Sequence, residues 1–156
     1  MKLVFFCTHN RCRSILCEAI ANQLGEGVLR AASAGNTPVG SVHPLTLSYL
    51  RERVYESRLL FTKSCSDLKA FNPDRVISVC DNARGEDCPL WIGEFERMHW
   101  GLPDPSVIIG DKGAIRTAFM LLIDRIEAKI DDWINEAQSE SILVLTLSRA
   151  VRRGFI

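Results

Sequence analysis

A cysteine and an arginine with a spacing suited to anion chemistry stand near the start of the chain. Cys7 ends the apolar run 3–6, and Arg13 follows after five residues, with Ser14 directly behind it where a helical pattern begins. Backbone N–H groups of a loop between a strand and a helix converge on one point, and the helix N-terminus adds partial positive charge there. The arginine fork binds two oxygens of a tetrahedral anion. The spacing predicts that Cys7 is a nucleophile acting on a phosphate-like anion, with a pKa below that of a free thiol.

The alternative interpretation of this stretch is structural, because a cysteine after an apolar strand is often a small core residue and an arginine can face solvent. Asn10 tolerates left-handed backbone angles, and the Ser14 hydroxyl can donate to a Cys7 thiolate. His9 and Arg11 are predicted near the mouth of the site. The predicted anion-binding residues are Thr8, His9, Asn10, Arg11, Cys12, Arg13 and Ser14.

Two further cysteines, Cys80 and Cys88, bracket a polar segment. Cys80 ends a stretch rich in β-branched residues that reads as a central strand, so it can lie beside Cys7. Thiols joined by a flexible segment can approach within disulfide distance. Such a geometry would support a relay in which Cys80 attacks Cys7 and Cys88 then attacks the resulting disulfide, although spacing alone does not favour it over the structural interpretation. The alternative is that Cys80 is a small buried residue and Cys88 an incidental surface thiol.

Asp104 stands between Pro103 and Pro105, which restrict the backbone and orient the carboxyl group. A carboxylic acid above the anion site can protonate a leaving oxygen. The alternative is an aspartate that caps the next helix. His99 and Trp100, just before it, are predicted to pack rather than to react.

Composition and charge exclude several classes of function. The chain has 156 residues, with 19 basic and 19 acidic residues and no net charge, so no global field attracts nucleic acid or anionic lipid. Neither a signal peptide nor a membrane span is evident, which predicts a cytoplasmic protein. Six cysteines in such a chain favour catalytic or redox use over a disulfide framework. No C-x2-C pair occurs, so we predict no metal and no bound cofactor.

Short apolar runs typical of strands alternate along the chain with segments that have the apolar period of a helix. This indicates an α/β fold with a parallel sheet covered on both faces. The predicted strands cover residues 2–6, 28–34, 75–80 and 95–100, and the predicted helices cover 14–24, 44–53, 64–70 and 111–137. We expect one domain over residues 1–138 and a C-terminal extension of unknown role over 139–156. Its apolar residues 142–145 fit an edge strand or a short helix, although a solvated tail is the preferred interpretation.

Several motifs together resemble those of the arsenate reductase branch of the low-molecular-weight protein tyrosine phosphatase superfamily. They are CTHNRCRS at 7–14, SAG at 33–35, VHP at 42–44, VCD at 79–81, Cys88-Pro89 and HWGLPDPS at 99–106. The resemblance implies a single-domain, three-layer α/β sandwich with a four-stranded parallel sheet flanked by helices. It also implies that Cys7 is the nucleophile, Arg13 the oxyanion clamp, Asp104 the acid, and Cys80 and Cys88 the redox pair.

The same resemblance implies reduction of arsenate to arsenite, and thus arsenic detoxification. Cys7 attacks arsenic, Cys80 attacks Cys7 as arsenite leaves, and Cys88 attacks Cys80. Thioredoxin, or glutaredoxin with glutathione, would then reduce the final disulfide as an external thiol reductant.

Two other functions are compatible with the anion loop. A tyrosine phosphatase uses the same loop, but it needs no second cysteine pair and is expected to have aromatic residues beside the acid. A non-catalytic oxyanion or thiol sensor needs no general acid. Cys12 introduces a further alternative, because resemblance to the phosphatase branch suggests that it can form a disulfide with Cys7 and compete with Cys80.

Overall fold

A four-stranded parallel sheet forms the centre of the molecule. The computed structural model describes residues 1–81 and 95–152. The strands β1 (Lys2–Phe6), β2 (Arg30–Ala34), β3 (Arg75–Ser78) and β4 (Glu96–His99) are arranged in the order β2-β1-β3-β4. In the described ranges the helices are α1 (Arg13–Leu24), α2 (Pro44–Glu52) and α3 (Lys112–Arg152), with short 3-10 helices at Cys65–Leu68 and Pro105–Val107. The predicted α/β fold with four parallel strands is confirmed.

Strand β1 is buried on both faces of the sheet. Leu3, Val4 and Phe5 are fully buried and Phe6 is 2% exposed. Because successive side chains of a strand point to opposite faces, both faces must be covered at β1. Helix α1 packs against β1, β2 and α3. Each such large side chain stabilises the fold by about 1.5–3 kcal/mol, so the strand that leads into the Cys7 loop is firmly fixed.

Several predicted boundaries differ from the structure. Strand β3 ends at Ser78 rather than at residue 80, β4 covers 96–99 rather than 95–100, and the predicted helix 64–70 is a short 3-10 helix at Cys65–Leu68. Strand β2 begins at Arg30 rather than at Val28, because the N–H groups of Val28 and Leu29 both bond the Gly25 carbonyl in a turn. Helix α3 continues to Arg152, whereas the sequence predicted an end near 137. The sequence has no glycine or proline between Ala114 and position 153, so nothing breaks the helix there. The division of the chain at residue 138 stays a prediction.

The strand order creates a crevice between β1 and β3. The chain passes from β1 to β2 on one side and then crosses to β3 on the other side of β1. In open parallel sheets such a reversal opens a ligand crevice at the carboxyl ends of the two strands. Cys7 directly follows β1, and Cys80 lies two residues after β3. Within the described ranges no helix is both long enough and apolar enough to cross a membrane.

Candidate active site

Neighbouring segments hold the loop between β1 and α1 by donating hydrogen bonds to its carbonyl groups. The carbonyls of Thr8, His9 and Arg11 accept hydrogen bonds from the N–H groups of residues 37, 39 and 43, at 2.9, 3.2 and 2.9 Å. The C=O and N–H of one peptide unit point in opposite directions, so the N–H groups that follow these carbonyls face the interior of the loop. The His9 N–H accordingly bonds the Cys7 sulfur. The predicted convergence of amide groups is therefore built into the backbone.

Asn10 and Gly35 fix the shape of this loop. Asn10 has a φ of +46°, in the left-handed region that the sequence analysis expected it to adopt, and is fully buried. Its amide donates to the Ser14 and Ser33 hydroxyls at 2.9 and 2.8 Å. A Cβ on Gly35 would lie 2.8 and 2.9 Å from the Thr8 and Cys7 carbonyl oxygens. Only glycine allows strand β2 to end so close to the loop.

Arg13 and Asp104 form an ion pair across the loop. The Arg13 Nη2 donates to Asp104 Oδ2 at 2.8 Å, and its Nη1 donates to the Leu102 carbonyl at 3.1 Å. The other Asp104 oxygen, Oδ1, accepts from the Ser106 N–H at 3.0 Å and from its hydroxyl at 2.6 Å. Asp104 thus caps the short helix Pro105–Val107, as the structural alternative proposed, and also faces the anion site, as the catalytic interpretation requires.

A cavity of about 250 Å³ opens above the loop. Its described lining consists of Cys7, His9, Arg11, Cys12, Arg13, Asp104, Ser106 and Val107. The Nε atoms of Arg11 and Arg13 are buried there and have no hydrogen-bond partner within the described part of the chain. Arg11 and Arg13 also give the lining of the cavity positive charge, so the cavity suits an anion with several acceptor oxygens. His9 is exposed at the mouth, as predicted.

Cys7 and Cys80 lie against each other at the carboxyl ends of β1 and β3. Cys80 is 2% exposed, shares a side-chain hydrogen bond with Cys7, and lies with its Sγ 3.7 Å from the Thr8 hydroxyl. That bond and burial raise the pKa of Cys7, while Arg13 and the His9 N–H act to lower it. The prediction of a lowered Cys7 pKa is wrong for this structure. It considered the helix and Arg13 but not the second thiol, and Arg13 is already paired with Asp104.

The other described cysteines differ in pKa and in whether they form a disulfide. Burial raises the pKa of Cys12 to about 12, and burial likewise raises the pKa of Cys17, which lies in the core. Cys12 is therefore a thiol at neutral pH and a weaker nucleophile than its position suggests. Cys65 is disulfide-bonded. Cys88, the predicted third member of the relay, lies outside the described residues.

His99 and Trp100 have the packing roles that the sequence suggested. Trp100 stacks between Phe5 and Trp133, with ring centroids 5.4 and 4.8 Å away. The His99 ring bridges β3 and the residues after it through Ser78 Oγ at 2.8 Å and Asp81 at 3.2 Å.

Three residues that support the loop from behind were not predicted from the sequence. Buried Ser33 and Lys63 and the partly buried Glu18 form a polar group next to Asn10. Ser33 stands in the SAG motif and carried a signal, whereas Glu18 resembled any polar residue on a helix and Lys63 lies in a segment without a pattern. No group of three or more His, Cys, Asp or Glu side chains able to hold a metal occurs in the described ranges.

A comparison with models of known protein families identifies the family of this chain. The model of the low molecular weight phosphotyrosine protein phosphatases matches residues 2–142. The chain belongs to this family. The match covers the whole sheet, the Cys7 loop, the Asp104 turn and most of α3.

The relatives of this family member include reductases with two different thiol donors. The glutaredoxin arsenate reductase of Synechocystis is 29% identical over 105 residues, which are 67% of this chain and 79% of the relative. The thioredoxin-dependent arsenate reductase Cg_ArsC1' of Corynebacterium glutamicum superposes with a TM-score of 0.68 at 26% identity, covering 89% of this chain but only 62% of that one. A structure described as an arsenate reductase in the phosphate binding state gives a TM-score of 0.71 at 25% identity, covering 87% of this chain and 98% of that one.

Proposed function

We propose that this chain is an arsenate reductase that converts arsenate to arsenite through a cysteine relay and so contributes to arsenic detoxification. The observation that carries the proposal is the contact between Cys7, which lines an anion-sized cavity, and the buried thiol of Cys80 beside it. Hydrolysis of a phosphate ester needs one nucleophilic thiol, whereas reduction of arsenic by two electrons needs two. The arsenate reductases among the relatives support the same choice.

The first step is substrate binding and attack by Cys7. Arsenate replaces Asp104 on the Arg13 fork and accepts hydrogen bonds from the loop amides. Cys7 attacks arsenic, and a hydroxyl group leaves as water after it has received a proton. Asp104, released from Arg13 but still fixed by Ser106, is placed to assist that transfer. The product is a thioester of arsenic(V) on Cys7.

The second step moves two electrons. The Cys80 sulfur attacks the Cys7 sulfur, the S–As bond breaks, and its electron pair stays on arsenic, which leaves as arsenite. The Cys80 proton goes to an arsenite oxygen, and a Cys7–Cys80 disulfide remains. Because the two sulfurs are already neighbours, no large rearrangement precedes this step. In the fully reduced chain, in which Cys65 and Cys88 are both thiols, Cys88 then attacks Cys80, frees Cys7, and leaves a Cys80–Cys88 disulfide.

An external thiol reductant closes the cycle. The relatives use thioredoxin in one case and glutaredoxin in another, as their names state. We propose thioredoxin as the donor, because a protein disulfide between Cys80 and Cys88 is the type of substrate that a dithiol reductant attacks directly. Such a donor and a reduced Cys7 both point to the cytoplasm as the compartment.

The phosphatase alternative shares the family name and the loop. A phosphotyrosine ring needs aromatic or broad apolar walls, but the described cavity lining holds no Phe, Tyr or Trp. The loop after Asp104 offers Ser106 and Val107 instead. We therefore expect at most weak hydrolysis of aryl phosphates.

Steady-state assays decide between these functions. We expect arsenite formation with thioredoxin, thioredoxin reductase and NADPH, loss of at least roughly a thousand-fold of that rate in Cys7→Ser, and slow hydrolysis of para-nitrophenyl phosphate. A parallel assay with glutaredoxin and glutathione identifies the donor. Rapid hydrolysis of the aryl phosphate without arsenite formation would contradict the proposal.

A further inference from the structure

Arg11 brings a positive charge to the anion cavity that no carboxylate of the described chain neutralises. It lines this cavity together with Arg13 and Asp104. No ion pair joins its guanidinium to an acidic side chain of residues 1–81 or 95–152. An arginine side chain does not lose its proton in a protein. The charge of Arg11 is therefore both permanent and uncompensated.

Arg13, by contrast, is already occupied in the free protein. Its Nη2 donates to the Asp104 carboxylate at 2.8 Å, and its Nη1 donates to the Leu102 carbonyl at 3.1 Å. The opposite charges of this ion pair largely cancel at a distance, so the pair attracts an approaching anion only weakly. Arg11 is then the cation of the lining that draws an anion in before the Arg13 fork is free.

The charge of Arg11 acts on groups around the cavity. Burial lowers the pKa of His43, and the charge of Arg11 lowers it further, although Asp104 acts to raise it. Burial raises the pKa of Cys12, and there Arg11 acts in the opposite direction. The backbone of Arg11 is also fixed, because the His43 N–H donates to its carbonyl at 2.9 Å. The guanidinium charge thus lies within electrostatic reach of an anion in the cavity.

We propose that Arg11 determines the charge class of the substrate and makes the site selective for dianionic over monoanionic tetrahedral oxyanions. A dianion pairs with Arg11 and also with Arg13 once Asp104 has withdrawn, whereas a monoanion leaves one positive charge unpaired. Arsenate, like phosphate, is in part a dianion at neutral pH. The inference deepens the proposed function and rests on it only for naming arsenate as the natural anion.

The test compares two tetrahedral anions that differ by one charge. Sulfate has two negative charges and perchlorate has one, both have four oxygens, and neither takes up a proton at pH 7. Each anion is titrated, at constant ionic strength, as a protectant of Cys7 against iodoacetamide in the reduced protein. Mass spectrometry of the Cys7 peptide gives the concentration that halves the rate of alkylation. In the wild-type chain we expect this concentration to be roughly ten-fold lower for sulfate.

Variants of Arg11 isolate the contribution of its charge. A Coulomb interaction is proportional to the charge of the ligand, so the binding free energy lost with this cation should be twice as large for sulfate as for perchlorate. In Arg11→Gln we expect the half-protecting concentration to rise roughly ten-fold for sulfate and roughly three-fold for perchlorate. Arg11→Lys keeps the charge and should stay within about two-fold of the wild type for both anions. Arg51→Gln, at an exposed arginine outside the cavity lining, should change neither value.

The two anions also separate this inference from the proposed function, because thiols reduce neither of them. Equal losses for sulfate and perchlorate in Arg11→Gln, or no loss for either, would overturn the inference. So would an Arg11→Lys variant that behaves like Arg11→Gln. A chain that forms no arsenite but shows the charge-dependent loss would contradict the proposed function and leave this inference standing.

Discussion

At the scale of single residues, two pairs of side chains determine the state of the site in the free protein. Cys7 is paired with Cys80, and Arg13 is paired with Asp104. In the proposed mechanism the Arg13–Asp104 pair opens when arsenate binds, whereas Cys80 stays beside Cys7 for the second step. The free protein therefore holds Cys7, the proposed nucleophile, as a thiol and Arg13, the proposed clamp, in an ion pair.

The pairing of the thiols predicts a change in the acidity of Cys7. Replacing Cys80 by alanine removes the hydrogen bond that raises the Cys7 pKa most, while Arg13 and the His9 N–H still lower it. The pKa of Cys7 should fall, so its alkylation by iodoacetamide at pH 7 should become roughly ten-fold faster. Cys17→Ala, which removes a buried thiol from the core, is the control. If the pKa of Cys7 is unchanged or higher in Cys80→Ala, the two thiols are not coupled.

At the scale of elements, the Cys7 loop is shaped by the segments that contact it rather than by its own sequence. The residues after β2 bond its carbonyls, and His43 both bonds the Arg11 carbonyl and caps α2 through its side chain. The motifs SAG and VHP could be noted in the sequence, but their role could be seen only in the structure. The segments that contain and follow them bind the carbonyl groups of the loop from outside, so that the loop amides face inside.

This dependence predicts a large effect of one methyl group. Gly35→Ala places a Cβ within 3 Å of two loop carbonyl oxygens, so the loop or the end of β2 must shift. We expect the free energy of unfolding to fall by about 1–3 kcal/mol and arsenate binding to weaken, measured by thermal denaturation and by protection of Cys7 from alkylation. Gly40→Ala is a matched control, because a Cβ there meets nothing within 4 Å. Equal stability and protection in both variants would show that the close approach is unimportant.

At the scale of the whole molecule, the sheet order explains why two cysteines 73 positions apart in sequence lie side by side. The reversal between β1 and β3 places their carboxyl ends side by side, and each strand delivers one thiol. The strands, the helices α1 and α2 and the meeting of Cys7 with Cys80 were predictable from the pattern of apolar residues. A parallel sheet brings the ends of its strands to one edge.

Other parts of the account were not predictable from the sequence. Lys63 reaches Glu18 through a loop whose path has no periodicity, and the Cys7 pKa depends on contacts between residues distant in sequence. The length of α3 was underestimated because polar residues after 137 resemble a tail, although no residue there breaks a helix. Cys88 lies outside the described residues, so its part in the relay stays a prediction.

A single-turnover reaction without any reductant tests the central claim most directly. The fully reduced and desalted protein is mixed with excess arsenate, and arsenite, free thiols and disulfide-linked peptides are then measured. We expect one arsenite per chain, the loss of two thiols, and a Cys80–Cys88 disulfide, with Cys7–Cys80 accumulating in Cys88→Ser. No arsenite, or a disulfide between Cys7 and Cys12 in place of Cys80–Cys88, would contradict it.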